Sequence, residues 1–600
     1  MQLETDSRKT SFTLTARNYS ITYMTKEPQY VRLSAGELSQ KLCIWSSCNS
    51  PDGRDIMKKI TKRPYMEKIR GGRRVYFQGT SALHGKKTYI FDCYEDYFEY
   101  YYVFDCLKPI DRIHYFFGLA RPALFAPSGK KKKKESSKAK PSEFKEIKSS
   151  KAFTRLFSPE PNGLDRQWVS AQEYGKISVN DDQNFNGRNW FFTPGLLSFA
   201  VSDDKANQWI SMGVAPKSGE YNFNDYEFLP GRFMALDLTY FGQTNPDGAF
   251  ETPHLVFHFG KTEKTALENY VSWLLKSRRV RRNRKRKASW WKEPILCGWG
   301  EQCAQSDFQN VLGKKDNPHE WNPHQYANQA NYENMMAELE KRNIPVKTVI
   351  IDDKWQKQRG LPLADEGKWP DMRAFVDKMH KKGKKVILWW GLFTGEGVHS
   401  ELCITKGDEK LCEDPTNPAF LKLMKECVNT MLSDKPGCYN ADGFKIDFTA
   451  NLPSDPHADR YGKAWGIELL KQYISEIYKS AKKAKKDALI ITHTANPYFM
   501  NVCDAIRLND ICEHYQDSIV RKMEFRAEMA RLACPGLLID TDNWPCPSRR
   551  SWLEYMKIQP QVGIPSLYYV SRIDSSLEEI KEEDWKTVAS VWKEYIKSLK

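Results

Sequence analysis

From about residue 291 to its end, the 600-residue chain alternates between short apolar runs and longer amphipathic segments. Short apolar runs between turn residues are typical of buried parallel strands, and apolar residues three and four apart are typical of helices. Eight such units fit into roughly 300 residues, close to the usual length of a (β/α)8 TIM barrel. The predicted strands span 295–299, 346–351, 385–390, 443–448, 489–494, 505–510, 537–542 and 566–570.

The first 262 residues have a different pattern. Their apolar runs alternate with polar residues and are separated by Gly, Asn, Asp and Pro, which predicts strands. We therefore expect an N-terminal β-sandwich-like domain at 1–262, with a lysine-rich insertion at about 128–150. A helical basic linker is expected at 263–290, followed by the catalytic barrel at 291–600.

The net charge of +16 is concentrated in two runs, at 130–134 and 278–287. Such runs are usually solvated linkers, although they could also attract nucleic acid or an anionic surface. No apolar stretch approaches the roughly 20 residues of a membrane helix, and the polar start of the chain contains no secretory signal. We therefore expect a cytoplasmic protein with reduced cysteines, without a membrane anchor or a specific nucleic-acid partner.

The segment 441–448 most constrains the chemistry, because a short buried strand ends in two charges, Lys445 and Asp447. Residues at i and i+2 share one face of a strand, and buried charges are rare unless they are paired or functional. A lysine beside an aspartate favours the ionised carboxylate. The pair is therefore either a structural ion pair or the surroundings of a nucleophilic carboxylate at a barrel mouth.

Polar and aromatic residues follow nearly every predicted strand, at the end of a barrel where active sites lie. Carboxylates accept hydrogen bonds from sugar hydroxyls, and an indole stacks on the apolar face of a sugar ring. Adjacent Trp389 and Trp390 point to opposite faces, so at most one can face the pocket. The candidate substrate-binding residues are Trp299, Asp352, Asp353, Trp355, Trp389, Trp390, Lys445, His493, Arg507 and Asp542.

Three of these segments carry a more specific resemblance. The sequences Asp-Asp-Lys-Trp at 352–355, Lys-Ile-Asp at 445–447 and Arg-Leu-Asn-Asp at 507–510 resemble the α-galactosidase clan of retaining glycoside hydrolases, of the melibiase and raffinose-synthase type. The resemblance implies that Asp447 is the nucleophile and Asp510 the acid/base, with no metal or organic cofactor. It also implies that the substrate is an α-linked oligosaccharide or glycoconjugate.

The chain departs from the family pattern in two places. Lys354 stands where the family has Gly, which leaves the sugar open. The spacing between Arg507 and Asp510 need not be that of the family, so Glu513 is a rival acid/base.

The expected function is an α-galactosidase-like hydrolase that works by double displacement. Galactosyl transfer of the raffinose-synthase type remains open, because hydrolysis and transfer share one covalent intermediate, and so does an α-glycosidase for another sugar. The alternative of another class is a non-catalytic protein that binds carbohydrate, or that binds nucleic acid with a steep salt dependence.

Overall fold

The computed structural model describes residues 2–5, 11–24, 26–121, 144–149, 153–157, 169–170, 177–178, 194–228, 234–283, 286–312, 322–511 and 518–600. The lysine run at 130–134 and Glu513 lie outside the described residues. Within the described ranges, mainly antiparallel sheets precede a nearly closed barrel of eight parallel strands, which confirms the fold class predicted from the sequence.

The N-terminal strands are β1 (Gln2–Thr5), β2 (Ser11–Thr15), β3 (Ser20–Met24), β4 (Tyr30–Ala35), β5 (Leu38–Cys43), β6 (Cys48–Asn49), β7 (Ile56–Ile69), β8 (Gly72–Ser81), β9 (Gly85–Cys93), β10 (Tyr97–Cys106), β11 (Ile110–Tyr115), β12 (Phe117–Ala120), β13 (Lys145–Lys148), β14 (Arg155–Phe157), β15 (Val169–Ser170), β16 (Ile177–Ser178), β17 (Ser198–Ser202), β18 (Trp209–Ala215), β19 (Asp225–Phe228), β20 (Leu236–Thr244), β21 (Gly248–Glu251) and β22 (His254–Gly260). They form three sheets. The orders are β1-β2-β3-β4-β5, then β13-β12-β7-β8-β9-β10-β22-β18-β17-β14-β15 with β21 paired to β10, and β16-β19-β20-β11-β6. Strand β13 pairs with β12, so the end of the expected insertion belongs to a sheet.

The core of these sheets is aromatic, and it contains a buried ion pair. The rings of Phe98 and Phe257 stack at 4.4 Å on neighbouring strands. Lys87 Nζ lies 2.6 Å from Asp55 Oδ2, and the two side chains are 0% and 2% exposed. Lys87 also donates to the carbonyl of Ser46, so the buried ammonium has two acceptors.

The barrel strands and the short strands of its loops are β23 (Ile295–Cys297), β24 (Thr348–Ile351), β25 (Gln356–Gln358), β26 (Leu361–Ala364), β27 (Lys385–Gly391), β28 (Cys403–Lys406), β29 (Glu409–Glu413), β30 (Gly443–Asp447), β31 (Leu489–Thr492), β32 (Ala505–Arg507), β33 (Leu538–Asp540) and β34 (Ser566–Leu567). The helices are α1 (Glu263–Lys276), α2 (Trp299–Leu312), α3 (Gln329–Lys341), α4 (Met372–Lys381), α5 (Pro418–Leu432), α6 (Gly466–Ala484), α7 (Ile519–Ala533), α8 (Arg549–Val562) and α9 (Glu582–Ser598).

The eight barrel strands have the order β33-β32-β31-β30-β27-β24-β23-β34, which is that of a TIM barrel. The gap between β33 and β34 is bridged because the amide of Ile564 donates to the carbonyl of Ile539 at 2.7 Å. Three features of the barrel were not predicted from the sequence. Helix α2 begins at Trp299, directly after a first strand that is shorter than expected, and two hairpins, β25–β26 and β28–β29, lie in the loops.

Helix α1 covers the N-terminal sheet rather than linking two bodies through solvent. The hydroxyl of Tyr270 donates to the carbonyl of Val214 on β18 at 2.6 Å. The helix can approach this closely because the facing residue is Gly213, where a Cβ atom would lie 2.2 Å from the Tyr270 ring. The helix expected at 263–290 therefore ends at Lys276 and packs against β18.

The basic run at 278–287 crosses the barrel end opposite the mouth, in contrast to the expected solvated linker. Asn283 Nδ2 donates to the carbonyl of Cys503 at 2.8 Å, just before β32. Lys287 Nζ donates to the carbonyl of Gly536, just before β33. Trp290 Nε1 donates to Asp487 at 3.1 Å, just before β31. The described part of the run thus covers the floor of the barrel.

Among the helices of the described residues, none has both the length and the apolar run needed to cross a membrane. Across the same ranges, no group of three His, Cys, Asp or Glu side chains is arranged to hold a metal ion. The cysteines in the described part of the chain are buried free thiols.

Candidate active site

The carboxylate of Asp447, at the end of β30, is held by three donors. Trp389 Nε1 donates to Oδ2 at 3.0 Å, and Arg507 Nη2 donates to Oδ1 at 3.2 Å. The backbone amide of Phe448 also donates to Oδ1, at 2.9 Å. These contacts fix the carboxylate in the barrel mouth without filling all of its acceptor positions.

Charge outweighs burial at Asp447. Burial alone would raise the pKa of the carboxyl group, but the charges of Arg507 and Lys445, together with His493 when it is protonated in acid, lower this pKa well below its usual range. Burial and the Arg507 charge also lower the pKa of His493, to about 4. Because His493 is then uncharged at neutral pH, Arg507 is the main cation that keeps Asp447 ionised.

Arg507, at the end of β32, connects three carboxylates through a fully buried guanidinium. Its Nη1 donates to Asp510 Oδ1 at 2.9 Å and to Asp542 Oδ2 at 2.7 Å, while Nη2 binds Asp447. Nη2 also lies 3.2 Å from Nδ1 of His493, which acts as an acceptor there. One arginine thus links the carboxyl ends of strands β30 and β32 with the residues that follow β33.

Asp510 has the opposite shift. Its pKa is raised to about 6 by loss of solvation in the mouth, with Asp542 and Asp447 adding to the effect and Arg507 opposing it. Because 53% of the side chain is exposed, the two neighbouring carboxylates contribute more to the raised pKa than desolvation does. The loop is held from behind by Arg526 of α7, whose Nη1 donates to the carbonyls of Leu508, Asn509 and Asp510 at 2.8–3.1 Å.

Lys445 does not pair with Asp447, so the interpretation of the i to i+2 pair as an ion pair is wrong. Lys445 Nζ lies 2.7 Å from Asp352 Oδ2, and both side chains are 3% exposed. The Cys297 thiol donates to the same carboxylate oxygen at 3.0 Å. The lysine side chain extends into the barrel interior and reaches from β30 past β27 to the end of β24.

Asp353 is engaged by two side chains that the sequence analysis missed. Arg359 donates to both of its oxygens, with Nη2 to Oδ2 at 2.9 Å, and His324 Nε2 lies 3.2 Å from Oδ2. Lys354, the departure from the family pattern, pairs with Glu396 of the loop after β27. Arg359 follows Asp353 by six residues in the same loop, which is a detectable signal, whereas His324 is far away in the sequence.

The candidate tryptophans divide into wall and mouth. Trp355 is 0% exposed and donates to the carbonyl of Trp389, so its ring is part of the wall. Trp390 is also buried and packs edge-on against Phe444 on the outer side of the strand, while Trp389 faces inward onto Asp447. Trp299 is only partly buried at the carboxyl end of its strand.

A second indole from the opposite side of the barrel gap completes an aromatic surface. Trp544, also partly buried, meets Trp299 edge-to-face at 5.8 Å, and the ring of His324 lies 5.9 Å from Trp299. The structure thus brings together Asp447, Asp510, Arg507 and His493 with Trp389 beneath them. Asp542 is fully buried behind Arg507, and Asp352 is bound to Lys445.

Comparison with known proteins identifies the fold. Residues 319–468 match the profile of the glycosyl hydrolases family 31 TIM-barrel domain. No curated protein sequence matches the chain.

Among solved structures, a GH31 family sulfoquinovosidase from E. rectale in complex with the aza-sugar inhibitor IFGSQ is similar, with 11% identity over 99% of this chain and 83% of that chain and a TM-score of 0.58. The GH36 α-galactosidase AgaB from Geobacillus stearothermophilus is also similar, with 10% identity over 100% of this chain and 86% of that chain and a TM-score of 0.53. The cycloalternan-forming enzyme from Listeria monocytogenes has 12% identity over 99% of this chain and 54% of that chain, with a TM-score of 0.51. The chain therefore has the TIM-barrel fold of GH31 and GH36 glycoside hydrolases, preceded by N-terminal β-sheets.

Proposed function

We propose that the protein is a retaining α-glycosidase in which Asp447 is the nucleophile and Asp510 the acid/base. The observation that carries the proposal is the pair of opposite pKa shifts on two carboxyl groups that share one arginine. Retaining glycosidases need one ionised and one protonated carboxyl group on either side of the scissile bond. The fold supports this proposal, because its solved relatives include glycosidases.

In the first step, Asp447 Oδ attacks the anomeric carbon while Asp510 gives its proton to the departing glycosidic oxygen. The sugar is then bound to Asp447 as an ester, and the aglycone leaves as an alcohol. In the second step, Asp510 takes a proton from water, whose oxygen attacks the anomeric carbon and releases Asp447. Arg507 holds both carboxylates through each step, so little rearrangement is required.

The mouth supplies polar and aromatic groups for one terminal sugar. The partly exposed indoles of Trp299 and Trp544 offer a face for the sugar ring, and Asp353 with Arg359 offers acceptors and donors for hydroxyl groups. An α-linked galactose is the first sugar to test, because the three motifs resemble α-galactosidases. Lys354, paired with Glu396 where the family has Gly, makes another α-linked sugar the principal alternative.

The test is a panel of nitrophenyl α- and β-glycosides that includes α-galactoside, α-glucoside and α-sulfoquinovoside. We expect turnover of one α-glycoside, release of the α-anomer as the first product by NMR, and no turnover by Asp447→Ala. An added acceptor sugar tests transfer against hydrolysis. Turnover by Asp447→Ala equal to that of the wild type, or β-anomer as first product, would contradict the proposal.

A further inference from the structure

Asp542 is a third carboxylate on Arg507, and it is inaccessible to a sugar. It is fully buried, and its Oδ2 lies 2.7 Å from Arg507 Nη1, the nitrogen that also binds Asp510. Its Oδ1 accepts from the amides of Asn543 at 2.7 Å and Trp544 at 3.1 Å. Because both oxygens of Asp542 already accept hydrogen bonds and the side chain is buried, its carboxylate can influence the reaction only through the residues around it.

The charges around Arg507 do not balance in pairs. Arg507 faces three carboxylates, the ammonium of Lys445 is taken up by Asp352, and His493 serves Arg507 as an acceptor. The charged and titratable groups of the described residues that face Asp510 and Asp542 are Arg507, Asp447, Lys445, His493, Asp540, Cys303, Cys546, Tyr555 and Tyr568. With one cation shared by three acids, the most open acid is where a proton is most easily held.

We propose that Asp542 is a positioning residue that acts on the reaction only through Arg507 and Asp510. It anchors Arg507 Nη1 from behind and adds a fixed negative charge beside Asp510, so that Asp510 can carry the proton for the leaving group. This inference rests on the proposed function. The raised pKa of Asp510 supports it, since Asp542 is the neighbouring charge that raises this pKa most.

The first test is the pH dependence of kcat/KM for Asp542→Asn. Removing the charge should move the upper limb of the profile to lower pH by about one unit, the size of a single neighbouring charge effect. KM for the sugar should change less than kcat at pH 7. The control is Glu413→Gln, which also turns a fully buried carboxyl group into an amide but has no hydrogen bond to Arg507 in the described residues. An unshifted upper limb together with a raised KM would overturn the inference, because that pattern belongs to a sugar-binding residue.

The second test needs no activity. A carboxyl group whose folded-state pKa is raised destabilises the fold as pH rises from its ordinary pKa of about 4 through its folded value. The melting temperature of the wild type relative to Asp510→Asn should therefore fall between pH 4 and pH 7, and fall less when both proteins carry Asp542→Asn. An equal fall in the two backgrounds would overturn the inference.

The two tests separate the inference from the proposed function. If the wild type cleaves no glycoside but the fall in melting temperature is smaller in the Asp542→Asn background, the proposed glycosidase activity is refuted and the role of Asp542 is supported. Asn tolerates the positive φ of 51° at position 542, and Asp542→Gly, which also suits that backbone, serves as a second charge-removing variant.

Discussion

The ammonium of Lys445 lies 2.7 Å from the carboxylate of Asp352, within the barrel interior and away from solvent. The two residues belong to β30 and the end of β24, with β27 between them. Taking one partner away from a buried ion pair leaves an uncompensated charge, which costs more than the pair itself contributes. The pair is therefore a structural element of the barrel beneath Asp447.

Lys445→Met should lower the free energy of unfolding by about 3–5 kcal/mol, because Asp352 is left buried and unpaired. Asp352→Asn should lower the free energy of unfolding by a similar amount, because the buried ammonium of Lys445 loses its counter-charge. Urea unfolding of both single variants and the double variant gives the coupling energy. Costs that simply add would contradict the direct pairing of the two residues.

Asp447→Asn should keep the fold, because the amide oxygen still accepts from Arg507 and from the backbone amide of Phe448, so that only the Trp389 bond is lost. The lysine ion pair lies elsewhere. Turnover should fall by several orders of magnitude, since the attacking charge is lost. A slowly released fluorosugar should leave one sugar on Asp447, located by mass spectrometry of peptides. Labelling of a different carboxylate would assign the nucleophile elsewhere.

Asp510→Ala should lose most activity on substrates with poor leaving groups and retain more on activated aryl glycosides, because only the former need a proton. Added azide should restore turnover and yield a glycosyl azide. Glu513→Ala is the matched comparison, because Glu513 is the rival acid/base. If azide rescues that variant instead, the acid/base lies three residues further along the chain.

The proposed active protonation state, ionised Asp447 with protonated Asp510, predicts an acidic pH optimum. Because the pKa of Asp510 is about 6, kcat/KM should fall about tenfold per pH unit above that value. The other limb should lie well into acid, where Asp447 takes a proton. A steady-state profile on one substrate checks this, and a flat profile up to pH 9 would exclude Asp510 as the titrating acid.

Arg526→Met should lower kcat with little change in KM, because the three carbonyls it holds shape the loop that carries Asp510. Arg526→Lys keeps the charge but not the planar donor group, and should recover only part of the rate. Circular dichroism and melting curves check that the fold is retained. If kcat falls equally in the two variants, and the melting temperature falls with it, the role of Arg526 is purely structural.

The sequence predicted the barrel because strand and helix periods are local signals that survive in a single chain. It also predicted which strand ends carry Asp447, Arg507 and Asp510. It could not predict the partner of Lys445, since spacing along one strand says nothing of a carboxylate across the barrel. From the sequence, Trp355 is also expected to bind substrate, whereas its ring is buried in the barrel wall. The loop that orients this ring leaves no recognisable pattern in the sequence.

The basic segment beneath the barrel also limits how the chain can be divided. A fragment that begins at residue 291 would lose Asn283, Lys287 and Trp290, and with them the cover over the starts of three strands. A fragment that stops at residue 262 would lose α1 and leave the face of β18 around Gly213 open to water. Residues 263–290 therefore pack against both the N-terminal sheet and the barrel. A fragment of either half must keep these residues, and one of their two contact surfaces is then exposed to solvent.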